Sequence, residues 1–229
     1  MGNVSVNKLG GLALIIGPWL ALVFFFLQPG GPFIDTADPA ITIDTIVSIA
    51  NNTGLGQTVS VVIPIGLLTL LYGIFVFQGN LRNNGNGDAL SRYGVLLIMF
   101  GMVGWIIGSG LSLTIAGADL PADKAALGAH PGYPAFAAIY GATQGIGTVS
   151  GILAGLGFMV LALGVSTRDD YNKIFALVAV VAGVVAVVAT LIGGLDSGQL
   201  QTMSNITGIC YVVHSLWVLT IGLDLLKKD

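Results

Sequence analysis

Apolar residues in this chain neither alternate nor recur on one helical face; they run nearly unbroken for about twenty positions at a time. Six such runs fall at about 9–27, 58–77, 94–116, 148–165, 174–193 and 206–226, the fourth with an apolar approach reaching back to about 135. Each is close to the roughly 20 residues that a helix needs to cross about 30 Å of hydrocarbon. A membrane β-strand would alternate over about ten residues, so the pattern predicts helices. The expected fold class is all-α: a polytopic membrane protein with a single six-transmembrane-helix bundle. The first run follows Lys8 and leads into Gln28-Pro29-Gly30-Gly31-Pro32 rather than a small-x-small cleavage site, so it is read as a retained span.

The polar stretches between the runs differ in kind. Residues 80–88 and 167–170 read as short polar turns. The stretch 28–57 is long enough to hold structure: Asp38-Pro39 leads into Ile41, Ile43, Ile46, Val47 and Ile49, and Asn51-Asn52-Thr53-Gly54 stops it. A short helix is expected there, lying at the interface or capping the bundle. Residues 117–134, with Pro121, Pro131 and Pro134, read as an irregular lid.

Composition confirms the class and excludes others. Of 229 residues 55% are hydrophobic and 8% charged, with mean hydropathy +0.91, against roughly 25% charged in a soluble domain. A disordered chain, a coiled coil and a nucleic-acid binder are excluded, since Lys and Arg number 8 against 11 acids. All the acids are Asp. Lys8, Arg82, Arg92, Arg168, Lys173, Lys227 and Lys228 fall on one side of the six-span topology and only Lys124 on the other. The positive-inside rule then places both termini in the cytoplasm, in the cell membrane.

Small residues give the packing signal. Gly104 and Gly108, then Gly147, Gly151 and Gly155, then Ala179 and Gly183 recur every four residues, the spacing that lets membrane helices approach closely. Spans 3, 4 and 5 are therefore expected to form a tight centre, and such faces could also take a membrane-protein partner or a second copy. Lys8-Leu-Gly10, Arg92-Tyr-Gly94 and Lys173-Ile-Phe175 open the odd spans at spacings of 92−8=84 and 173−92=81, with Gly17, Gly101 and Gly183 following. Three repeated hairpins would give that pattern.

Polar groups at membrane depth are expensive, so each is a candidate for function. His214 lies about ten residues into the last span, one turn after Tyr211 and Cys210; it could bind a ligand or act as a base, or simply bond a neighbouring helix. Gln144, with Thr143, Thr148 and Ser150, makes a polar patch on span 4. His214, Tyr211 and Gln144 are the ligand-binding candidates, and a proline break at Pro64 would help open a midplane cavity. No metal site is expected, because the second histidine, His130, lies in a loop and Cys210 is the single cysteine. No cofactor is implied.

Ser150-Gly151 near the start of span 4 and His214 inside span 6 resemble the layout of rhomboid intramembrane proteases, in which a span-4 serine is activated by a span-6 histidine. That resemblance implies Ser150 as nucleophile and His214 as base. It departs from the family at Thr148, where rhomboids carry a glycine, and at span 2, which has no His or Asn to bind an oxyanion. A broader resemblance covers nearly the whole chain: Lys8-Leu-Gly-Gly-Leu12, the Asp-led isoleucine helix, Leu70-Leu-Tyr72, and Leu216-Trp-Val-Leu-Thr-Ile-Gly222 are similar to the DUF4386 group of six-helix membrane proteins. It implies a fold and a membrane location and transfers no site residue. The expected function is an accessory or structural membrane protein, the alternatives being a transporter-like protein that binds a small molecule or lipid near His214, or a hydrolase using Ser150 and His214.

Overall fold

The computed structural model describes residues 5–82 and 87–228; the middle of the turn predicted at 80–88 lies outside them. Its helices are α1 (Val6–Phe26), α2 (Thr42–Asn51), α3 (Thr53–Arg82), α4 (Asp88–Ala116), α5 (Lys124–Ala129), α6 (Tyr133–Ser166), α7 (Lys173–Leu195) and α8 (Leu200–Leu226), with a 3₁₀ turn at Ser197–Gln199. Six of them, all but α2 and α5, are long and apolar enough to cross a membrane.

The helices outrun the apolar stretches that announce them. Once a core is helical, each flanking residue adds a backbone hydrogen bond, so Gln, Thr, Asn and Gly are carried along. Thus α6 starts at Tyr133, with Pro134 in the first turn where its missing N–H costs nothing. Side-chain caps fix other starts: Ser5 accepts from the Lys8 amide at 3.1 Å, and Asn172 accepts from Ile174 and Phe175 at 3.0 and 3.2 Å. Pro64 does not break α3, which runs through it. The 117–134 lid is not wholly irregular, since Asp123 caps α5 within it.

Of the two placements considered for the isoleucine helix, capping the bundle is the observed one. Ile46 and Ile49 of α2 are buried with Ile115, Ala116, Leu127 and Tyr140. The opposite end of the bundle brings together the start of α1, the end of α3 and the end of α8: Asn80 donates to Asn7 at 2.9 Å, and a Cβ on Gly11 would meet Leu226. That end also holds all the described cations except Lys124, and is called the basic side below.

The spans form a ring in chain order, α1 beside α3, α3 beside α4, then α6, α7, α8 and back to α1. One apolar cluster reaches all six spans, with Leu14, Ile74, Ile98, Phe158, Ala179 and Trp217 contributed by different spans, and a smaller one lies between α7 and α8. No span is central, so the expectation of a tight centre from spans 3, 4 and 5 is replaced by close approach around most of the ring. The device is a reciprocal glycine pair. A Cβ on Gly94 would lie 2.6 Å from the Leu161 nitrogen and one on Gly157 2.6 Å from the Ile98 nitrogen, each partner four residues past the facing glycine. The same arrangement recurs at Gly17 with Gly66, at Gly155 with Gly183, and at Gly11 with Gly222. These join α4 to α6, α1 to α3, α6 to α7 and α1 to α8.

Two seams, α3 with α4 and α7 with α8, have no such pair among the described residues. They lie opposite each other in the ring and divide it into two halves, α8-α1-α3 and α4-α6-α7. The glycines suggested by the hairpin repeat are not equivalent: Gly17 and Gly101 pack within their own hairpins, but Gly183 packs on the preceding α6.

Candidate functional site

The polar side chains at depth mostly bridge the two halves. His214 is 1% exposed. Its Nε2 lies 3.0 Å from the Ala179 carbonyl across the α7–α8 seam. A carbonyl only accepts, so Nε2 carries the proton, and Nδ1 has no partner among the described residues. The ring stacks on Phe158 of α6, centroids 4.7 Å apart and planes 17° from parallel. One turn away, Tyr211 donates to the Gly151 carbonyl at 3.2 Å and meets Trp105 of α4 edge-on at 5.2 Å. Thr190 and Thr207 approach to 3.4 Å across the same seam.

The structure brings His214 and Tyr211 together and leaves the other candidates elsewhere. Gln144 donates to the Tyr140 hydroxyl at 2.5 Å, and that hydroxyl reaches the Pro39 carbonyl at 3.1 Å and Thr45 at 3.3 Å. Gln144 therefore belongs to the attachment of α2, about 10 Å along α6 from Gly151. Ser150 is buried against α4, where a Cβ on Gly104 would collide with its hydroxyl. Phe158, which stacks on His214, lies about 12 Å farther along α6 than Ser150, and among the described residues no hydrogen bond joins Ser150 to His214. No group of three or more metal-ligating side chains is found among the described residues.

Each end of the ring is tied across the halves as well. On the α2 side, Gln57 of α3 donates to the Ala116 carbonyl of α4 at 3.3 Å, and above it Lys124 of α5 pairs with Asp44 of α2 at 2.7 Å. On the basic side, Arg168 is 6% exposed and forks onto Asp170 with two bonds of 2.8 Å, while its Nη1 reaches the Leu81 carbonyl at the end of α3 at 3.5 Å. The guanidinium holds the Asp170 carboxyl below the usual carboxylate range. Tyr171 then packs edge-on against Phe77 of α3 at 5.4 Å and accepts from Lys228 at 2.9 Å. Nothing in the sequence singles out this cluster, because Arg168 and Asp170 look like an ordinary solvated turn until α3 and α8 are placed beside them.

No family model, curated protein or solved structure matches the chain. The geometry is therefore what informs function. A cleft of about 240 Å³ lies at the basic-side ends of α6, α7 and α8, and a shallower one of about 410 Å³ lies beside Val6, Phe75 and Asn80. Neither is lined by His214, Tyr211, Gln144 or Ser150.

Proposed function

We propose that this chain is an accessory membrane protein, a six-span scaffold of the cell membrane with both termini in the cytoplasm. The observation that carries the reading is the filled midplane. His214 Nε2 and the Tyr211 hydroxyl are bonded to the Ala179 and Gly151 carbonyls of the facing half, the His214 ring is stacked on Phe158, and Tyr211 is packed edge-on against Trp105.

The face offered to a partner helix is the outer half of α6. Gly141 and Gly145 are exposed, and a Cβ at either would meet nothing within 4 Å. Their four-residue spacing is that of close helix association in bilayers. A photo-crosslinking residue at Val149, 58% exposed beside this face, tests the reading in native membranes. An adduct of fixed stoichiometry with another membrane helix, from a different protein or a second copy, is expected, and Gly145→Leu should abolish it. Adducts with lipid alone, unchanged by Gly145→Leu, would remove the reading.

A further inference from the structure

The cleft on the basic side has a chemistry that the scaffold reading does not use. Its floor is apolar, made by Val165, Trp217 and Ile221; its rim includes Tyr171, Asn172 and Lys227. It sits where α7 begins and α8 ends, which in a spanning bundle is the depth of the lipid headgroups. The floor points toward hydrocarbon chemistry and the rim toward an anion.

The donors at the rim are partly uncommitted. Asn172 turns its oxygen onto the Ile174 and Phe175 amides, which leaves its NH₂ without a partner among the described residues. The α7 N-terminus behind it adds the positive end of a helix dipole. Lys227 pairs with Asp224, another lining residue, at 3.1 Å but remains 75% exposed. Lys228 has no carboxylate partner among the described residues: its ammonium rests 2.9 Å from the Tyr171 hydroxyl and 4.9 Å from the ring centre. Among the described residues, one Lys–Asp pair within the lining and Lys228 just outside it leave a single positive charge beside the rim, the complement of one phosphodiester. The volume, about 240 Å³, corresponds to about eight waters, room for a glycerophosphate but not for acyl chains, which must run out into the bilayer.

We propose that this cleft binds one glycerophospholipid from the leaflet on the basic side. Lys228, Lys227 and the Asn172 amide hold its phosphate, and its glycerol lies over Trp217 and Ile221. A soluble phosphate compound would have no use for that floor.

Native mass spectrometry of the full chain with dioleoyl phosphatidylglycerol tests this. One lipid should be retained at stoichiometric load. Lys227→Gln with Lys228→Gln should weaken retention about tenfold, at roughly the strength of lysine–headgroup attraction, and the arginine versions should restore it. Thr220→Trp, which fills the cleft from its wall and leaves the charges in place, should lower retention in a protein that still elutes as a single species. Lys173→Gln removes a cation that pairs with Asp169 at 2.7 Å and does not line the cleft, so it should change nothing. Equal losses with Lys173→Gln would mean diffuse surface attraction, and displacement of the lipid by inorganic phosphate would mean a free-anion site. Either result overturns the proposal, as does full retention in Thr220→Trp.

Discussion

A histidine at bilayer depth can be examined by separating its ring from its nitrogens. His214→Phe keeps an aromatic plane on Phe158 and gives up the bond to Ala179. Interhelical hydrogen bonds in membranes are worth about 0.6 kcal/mol on average, so this variant should lose about that much. His214→Ala empties the site and should lose about 2–4 kcal/mol, the range for deleting a large buried side chain. Unfolding in mild detergent measures both; equal losses would mean that the hydrogen bond, not the packing, is what the position supplies. Ser150 admits a similar separation. Gly104→Ala drives a methyl into the Ser150 hydroxyl and should cost about 1 kcal/mol, and adding Ser150→Ala should recover most of it. A failure of the double variant to recover would place the strain elsewhere on α4. Asp170 carries a pH dependence whose sign follows from its environment. Its carboxyl is lowered in the folded protein by Arg168, so its contribution is present above the unfolded value of about 3.9 and is lost as pH falls through the lower folded value. Asp170→Asn should flatten the loss of stability below about pH 4, and an unchanged acid profile would count against the Arg168 fork.

At the scale of elements, the chain's apolar runs announce each span because hydrophobic length is a local property, readable one window at a time. The pairing of spans is not local. Gly157 and Gly147 look alike in sequence, two glycines in one glycine-rich helix, yet a Cβ at Gly157 would lie 2.6 Å from the backbone of Ile98 and one at Gly147 would meet nothing within 4 Å. Gly157→Ala should therefore destabilise by about 1–3 kcal/mol through overpacking, whereas Gly147→Ala should be neutral or stabilise by up to about 1 kcal/mol through helix propensity. Comparing the two in one unfolding assay checks the reciprocal pairing directly, and similar effects at both positions would deny it. The candidate site was legible to the same partial extent. His214 and Tyr211 stand out as polar residues inside an apolar run, and they do lie together. Gln144 stands out equally but serves α2, because its partner Tyr140 meets Thr45 and Pro39 about a hundred residues earlier in the chain.

At the scale of the whole molecule, the two kinds of seam should differ in how readily they open. Within each half, neighbouring spans meet backbone to backbone through paired glycines, contacts that cannot be loosened one side chain at a time. Between the halves the ties are side chains: Tyr211 and His214 at depth, Gln57 on the Ala116 carbonyl at one end, and Arg168 with Tyr171 at the other. Local opening follows the weaker boundary. Cys210 is a native reporter of it, the single cysteine of the chain, 6% exposed and packed with Ala182 and Ala186 of α7 at the α7–α8 seam. Its reaction with a membrane-permeant maleimide should be slow in the intact protein, limited by opening of that seam. Arg168→Ala removes the tie to the Leu81 carbonyl and the fork onto Asp170, and should speed labelling about tenfold, equivalent to about 1.4 kcal/mol of lost closure. A cysteine placed at Ala154, 0% exposed and packed against Gly101 on the α4–α6 seam within one half, should not respond to Arg168→Ala in a background where Cys210 is replaced by Ala. If both cysteines accelerate together, the ring opens as one unit and the division into halves has no mechanical meaning. If only Cys210 does, the polar and aromatic side chains that cross the bundle set its flexibility, and the glycine pairs set what stays rigid while it moves.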